Sequence, residues 1–383
     1  MAEYSITKVL ASDRRFLRQV EELLLAEGIR KDGNLDYTCA VLDEDMNVIA
    51  TGSCFGNTLR CMAVSSAHQG EGLMNLVVSH LMEVQMERGN AHLFLYTKCS
   101  SAKFFQDLGF YEIVRVENQI VFMENRRNGF ADYLEALKRE TAKQKARMRG
   151  ENASMSTDAA LPKKTTMAEG TPPTLITPRV AEAAVVMNAN PFTLGHQYLV
   201  EQAAKSCNVL HLFMVSEDAS LTPFSVRKRL IVEGTAQFPN IVYHESGPYI
   251  ISSATFPSYF QKDASAVIES HARLDLLVFT KIAAALGISC RFVGEEPKSL
   301  VTGIYNEIMC EELPKAHIDC KVIARKTLDG EPISASDVRM AIHDGDWERL
   351  KKLVPETTSS YFQSPEAEPV IQKIRKAQNV VHY

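Results

Sequence analysis

None of the eight cysteines (Cys39, Cys54, Cys61, Cys99, Cys207, Cys290, Cys310, Cys320) stands in a CxxC pair, so neither a zinc site nor a thioredoxin-like redox pair is indicated. Reduced, mostly buried thiols are the expectation. Residues 1–15 lack the apolar core of a signal peptide. No run reaches the roughly 20 apolar residues of a membrane-spanning helix. A cytoplasmic protein with no membrane partner is therefore expected. An excess of one charge is lacking too: 42 Lys+Arg against 47 Asp+Glu give -5, too balanced for a general nucleic-acid binder, so no nucleic acid is expected as partner. No internal repeat stands out. What is present is 383 residues, 45% hydrophobic and 23% charged, enough for two domains at roughly 100 to 200 residues each.

Over the first 125 residues, periodicity predicts helices at 16–26, 73–88 and 102–108. It predicts strands at 37–42, 48–55, 59–64, 91–97, 111–116 and 119–123, which makes a mixed α/β unit. Residues 126–150 then carry eight basic side chains against three acidic ones, and an exposed helix is expected at their start. Residues 151–179 are rich in Ser, Thr, Pro and Ala and cannot bury enough surface to offset chain entropy. We read 126–180 as a linker, its basic half a solvated tether. From 181 to 355 strand and helix patterns alternate, with strands at 183–187, 209–215, 241–244, 290–294 and 319–323. Helices are expected at 196–205, 225–237, 259–286 and 305–312, and more than one between 336 and 353. This is the pattern of an α/β, doubly wound parallel sheet with ligands beyond the C-terminal strand ends. Residues 356–383 are left as a C-terminal tail.

The most informative segment is 185–199, where an apolar strand runs through Asn188, Asn190 and Pro191 into Phe192-Thr193-Leu194-Gly195-His196 and an amphipathic helix. Glycine there lets a polyphosphate approach the backbone, the helix N-terminus offers N–H groups and a positive dipole end, and His196 can donate to an α-phosphate oxygen. The segment looks like the T/H-x-G-H signature of the nucleotidylyltransferase superfamily, with Thr193 in the first position. The second signature of that superfamily, I-S-x-S/T followed by a basic residue, resembles Ile333-Ser334-Ala335-Ser336-Asp337-Val338-Arg339, about 140 residues on. Plain capping of a helix by Ser334 and Ser336 uses the same helix end. Between the signatures lies Pro223-Phe224-Ser225-Val226-Arg227-Lys228-Arg229, with Ser225 as the expected cap. Arg229 occupies the place where the superfamily commonly puts an arginine near the phosphates. Gly294-Glu295-Glu296-Pro297 follows a strand at a ligand-facing edge, where either carboxylate could meet nucleotide or Mg²⁺.

The chain as a whole resembles the citrate lyase ligase family. The likeness rests on 187–199, on Ile251-Ser252-Ser253-Ala254-Thr255-Phe256-Pro257-Ser258-Tyr259-Phe260, on 293–297 followed by Tyr305-Asn306, and on domain order. The resemblance implies an AMP-forming ligase in which acetate attacks the α-phosphate of ATP and pyrophosphate leaves. The acetyl group of acetyl-AMP then passes to the prosthetic-group thiol of the citrate lyase acyl carrier subunit. It implies ATP and Mg²⁺ as cofactors and that carrier as partner. Catalysis falls to His196, Thr193 and Arg229, and nucleotide binding to Asn188, Asn190, Phe192, Gly195, Ser334, Ser336 and Arg339; metal ligands stay open. Two alternatives remain: an adenylyltransferase of the phosphopantetheine or nicotinamide mononucleotide type, and a nucleotide-sensing, acetyl-CoA-binding regulatory protein.

Residues 60–74 and 105–111 resemble the GCN5-related N-acetyltransferase family, so residues 1–125 are expected to form a GNAT-like α/β domain. The pyrophosphate loop of that family corresponds to Gln69, Gly70 and Gly72, but ends here in Met74, where a small residue is usual. The residues after 180 are expected to form the nucleotidyltransferase domain, Rossmann-like and of the HUP class.

Overall fold

The computed structural model describes residues 4–155, 179–218, 220–250, 264–296 and 300–377. They fall into two compact units, Met1–Asp132 with Thr255–Val278, and Tyr133–Ala254 with Phe279–Tyr383. Among the described residues no helix is long and apolar enough to cross a membrane.

The first unit holds one seven-stranded sheet of β1 (Ser5–Lys8), β2 (Tyr37–Leu42), β3 (Val48–Phe55), β4 (Thr58–Val64), β5 (Phe94–Thr97), β6 (Tyr111–Val116) and β7 (Ile120–Glu124). Their order is β1-β2-β3-β4-β5-β7-β6. All neighbours are antiparallel except β4 and β5, which run parallel and pair only at Thr58 with Phe94 and Leu59 with Leu95. Alternate residues of a strand face opposite ways, and β2 shows the result. Tyr37, Cys39 and Val41 join the core of α2 (Leu73–Glu87), whereas Ala40 and Leu42 join that of α1 (Arg14–Ala26). Gly52 in β3 lets α2 lie close, since a Cβ there would stand 2.4 Å from Val77 Cγ1. The short α3 (Ala102–Asp107) buries Ala102 and Phe105. Strand β1 carries too few residues to have been read from periodicity.

In the second unit α4 (Gly129–Met155), from Tyr133 on, is followed by β8 (Val180–Met187), α5 (Leu194–Ser206), β9 (Cys207–Met214), α6 (Phe224–Thr235) and β10 (Ile241–Glu245). Next come the last part of α7 (Ala264–Leu286), from Phe279 on, then β11 (Cys290–Gly294), α8 (Leu300–Glu312) and β12 (Asp319–Ile323). The five strands are all parallel, in the order β10-β9-β8-β11-β12. Chain order reverses between β8 and β11, so a ligand crevice is expected outside their carboxyl ends. Both strands feed the segments singled out above.

Two expectations are corrected. The basic stretch 129–155 is one helix, and from Tyr133 it is packed rather than a solvated tether. The Gln144 amide exchanges two 2.9 Å hydrogen bonds with Tyr243 N and O on edge strand β10, as a neighbouring strand would. Lys145 pairs with Glu182 at 2.8 Å. Residues 156–178 of the linker lie outside the described residues. The expected tail instead begins with α11 and α12, defined below, because apolar residues recur there at helical spacing. The helices expected over 336–353 are α9 (Ala335–Asp344) and α10 (Trp347–Leu353), separated at Gly345, φ 74°. After them α11 (Glu356–Gln363) and α12 (Glu368–Lys376) contribute Tyr361, Phe362, Val370, Ile371 and Ile374 to the core that holds Val185 and Leu212.

Candidate active site

Beyond β8 the chain turns through Asn188-Ala189-Asn190 into a cis Asn190–Pro191 bond. Ala189 sits at φ 50°, a left-handed conformation that costs a residue with a Cβ about 1–2 kcal/mol. Its neighbours hold it there. Asn188 Oδ1 accepts from Arg227 Nη1 at 2.7 Å, Asn188 Nδ2 donates to Ser220 Oγ at 3.1 Å, and Asn190 Oδ1 accepts from Thr222 N at 3.0 Å.

Thr193 caps α5: its Oγ1 accepts from His196 N at 3.2 Å, and its own N–H donates to His196 Nδ1 at 3.1 Å. A backbone N–H can only donate, so Nδ1 is the acceptor and the neutral ring carries its proton on Nε2. Burial first, and the Arg325 charge second, lower the His196 pKa to about 4. The ring is therefore neutral at neutral pH, an N–H donor rather than a cation. Phe192, fully buried, stacks on it with centroids 5.8 Å apart. Gly234 of α6 makes that possible, since a Cβ there would stand 2.5 Å from Phe192 Cε1.

The second signature arrives on a small ribbon pairing Thr327–Leu328 with Glu331–Pro332. Its turn is Asp329-Gly330, with φ 53° and 84°, a residue pair that suits a two-residue hairpin. Ser334 caps α9, Oγ accepting from Asp337 N at 3.1 Å, and Ser336 Oγ accepts from Arg339 Nη2 at 3.1 Å. Arg339 Nη1 reaches back to Asn190 O at 2.6 Å. A Cβ on Gly195 would stand 3.1 Å from Ile333 O. The two signatures thus meet at the N-termini of α5 and α9. Burial lowers the Arg339 pKa to about 10, which leaves it a cation at neutral pH.

Arg229 is not brought into this group. It pairs with Glu366 at 2.9 Å and lies over the Tyr361 ring, beside a cleft of about 420 Å³ lined by none of the signature residues. Residues two apart on a helix point about 200° apart, and Arg227 faces the other way. Fully buried, Arg227 donates to the carbonyls of Asn188, Val215, Glu217 and Thr222 as well as to Asn188 Oδ1. It fixes the turn after β8 and the loop after β9. Ser225 does not cap α6; Asp218 Oδ1 does, accepting from Phe224 N at 2.7 Å. The burial that singles out Arg227 had no signal in three consecutive cations.

At the end of β11, Glu295 N donates to Ile323 O at 2.8 Å, and Glu295 O accepts from Arg325 Nε at 2.6 Å. Arg325 also ion-pairs with Glu296, and Asn306 of α8 donates to Gly294 O at 3.0 Å. Glu295 is exposed at this edge. Pro297 and 251–260 lie outside the described residues. In the first unit Gln69, Gly70 and Gly72 are exposed, the glycines at φ 90° and 80°, and a Cβ on either would meet nothing within 4 Å. Met74 turns to the core of α2 instead.

Residues 182–362 match the family described as citrate lyase ligase C-terminal domain. Along nearly its whole length the chain is 34% identical, over 364 residues, to the citrate (pro-3S)-lyase ligase of Escherichia coli (strain K12), covering 94% of this chain and 93% of that protein. It is 33% identical to the one of Haemophilus influenzae, covering 92% and 97%. The chain belongs to the citrate lyase ligase family. It is a ligase, as the sequence resemblance implied. The family match spans both signatures, Arg227 and the 294–296 edge. Among solved structures, a GNAT-family acetyltransferase of Staphylococcus aureus Mu50 is 14% identical, covering 32% of this chain and 100% of that one at a TM-score of 0.28. Escherichia coli ElaA is 15% identical, covering 33% and 100% at 0.29. The α/β class of the chain rests on its seven-stranded and five-stranded sheets.

Proposed function

We propose that the second unit activates acetate with ATP as acetyl-AMP. It then transfers the acetyl group to the prosthetic-group thiol of the citrate lyase acyl carrier subunit, releasing pyrophosphate and AMP and so activating citrate lyase. The observation that carries this reading is the junction of the two signatures, Arg339 on Asn190 O and Gly195 against Ile333 O. It sets two helix N-termini, a buried cation and a neutral Nε2–H donor around one place. Displacement at the α-phosphate asks for positioning and charge stabilisation, which such donors supply without a covalent nucleophile. His196 would hold an α-phosphate oxygen, and Ser336 and Arg339 the leaving pyrophosphate. Thr193 and Phe192 keep the imidazole in its tautomer and plane.

Among the described residues no three metal-ligating side chains gather. The exposed Glu295 carboxylate fits Mg²⁺, which keeps several waters and binds through substrate phosphates and one or two carboxylates. Glu295 is the exposed carboxylate at that edge, and the ion would neutralise phosphate charge.

Acetate-dependent release of pyrophosphate from ATP, measured with and without deacetylated citrate lyase, tests the proposal. Release that requires acetate, with the acetyl group recovered on the carrier, is expected. Pyrophosphate release driven by phosphopantetheine and not by acetate would instead identify an adenylyltransferase. Activity that survives His196→Ala would favour the nucleotide-sensing regulator.

A further inference from the structure

Two of the eight cysteines face each other. Cys310 on α8 and Cys320 on β12 bring their sulfurs to 3.1 Å, one thiol donating to the other. Both are partly exposed, so a solute can reach them, whereas five of the other six are buried. A disulfide bond is about 2.05 Å long, and closing this pair needs a further approach of about 1 Å.

The position of the pair matters as much as its spacing. Asn306 lies four residues before Cys310 on the same face of α8, and it donates to Gly294 O at 3.0 Å. Arg325 lies five residues beyond Cys320; it holds Glu295 O and Glu296, and its charge acts on His196. The α8 and β12 segments are thus the two supports of the 294–296 edge. Drawing them together moves both supports at once.

We propose that Cys310 and Cys320 form a reversible dithiol–disulfide pair whose oxidation lowers turnover at the adjacent site. The oxidant is a small-molecule disulfide of the glutathione type. The Cys310 thiolate attacks one of its sulfurs and expels one small thiol. Cys320 then attacks Cys310 Sγ and expels the second, so the protein loses two hydrogens and the small disulfide gains them. Burial first, and the hydrogen bond shared with Cys310 second, push the Cys320 thiol up to about 12. Cys320 therefore stays protonated at the outset, which gives the first attack to Cys310.

The full-length chain is incubated with oxidised glutathione, then alkylated and weighed, with and without dithiothreitol. Two alkylatable thiols are expected to vanish, a peptide linking Cys310 to Cys320 to appear, and both changes to reverse on reduction. Eight thiols before and after, or a linked pair elsewhere, overturns the assignment. In Cys320→Ser a single glutathione adduct should stay on Cys310; an adduct-free Cys310 overturns the order of attack. Acetate-dependent pyrophosphate release should fall on oxidation by up to about 10²-fold, the scale on which a 1 Å misplacement acts, and stay unchanged in Cys310→Ser. A full rate with the disulfide in place overturns the control of the site. The activity measurement rests on the proposed reaction, but the thiol count does not. A reduced enzyme with no pyrophosphate release therefore counts against that reaction alone.

Discussion

Both units place glycine just before or within the first turn of a helix, and they use it in opposite ways. In the first, Gly70 and Gly72 lead into α2 with φ 90° and 80° and open space where a Cβ would be. Their glycine character answers to backbone conformation. In the second, Gly195 is glycine because Ile333 O stands 3.1 Å from the place of its Cβ. The difference separates a loop whose glycines answer to local backbone from a site locked by a segment about 140 residues away. Locking is what preorganised electrostatic catalysis requires, since donors must be in place before charge develops.

Substitutions can break or sharpen that comparison. The largest effect is expected at His196: His196→Ala should lower acetate-dependent pyrophosphate release by about 10²-fold, with far-ultraviolet circular dichroism unchanged. Gln69→Ala in the first unit should leave the rate within about twofold; equal losses in both variants would erase the contrast. Next comes Arg227→Ala, which removes five hydrogen bonds to acceptors around the β8 turn. A loss of about 3 kcal/mol or more is expected from urea unfolding.

Acid should destabilise the second unit through its buried histidines. His244 is lowered to about 3 by burial, then by the charges of His211 and Lys145, and His196 to about 4. Because each folded pKa lies below the unfolded 6.5, the unfolded chain binds the proton first, and stability falls as pH drops from about 6.5 towards those values. The slope is at most about 1.4 kcal/mol per pH unit for each histidine. His244→Asn should flatten the dependence of the urea midpoint on pH, and an unchanged slope would show that His244 does not contribute.

A smaller loss, about 1–3 kcal/mol, is expected for Gly234→Ala, which pushes Phe192 towards His196. The reduced turnover should be partly restored by adding Phe192→Leu, a rescue that a purely local helix effect would not show. The smallest effect belongs to Arg229→Ala: its exposed pair with Glu366 is worth about 0–1 kcal/mol, and turnover should stay within about twofold. A large loss of turnover there would return Arg229 to the site.

Much of this was legible before folding. The alternation after 180 announced the parallel sheet, and Gly195-His196 announced a helix start, while the Thr193 cap three residues before His196 was not read from the sequence. Asp329-Gly330 carried a hairpin signal that periodicity overlooked, since each arm is two residues long. The choice among Arg227, Lys228 and Arg229 was not legible. All three are helical cations, and only the surroundings of α6 decide which is buried.

No CxxC pair marks a local redox motif in this chain. Yet Cys310 and Cys320, ten residues apart, face each other at 3.1 Å because one rides on α8 and the other on the adjoining β12. Composition, periodicity and short motifs report contacts made within a few residues, and these the sequence determined alone: two α/β units, the start of α5, the second signature. Which arginine is buried, what Gly195 and Gly234 leave room for, and which thiols meet depend on contacts between segments distant in the chain. Only close packing in the folded protein decides those.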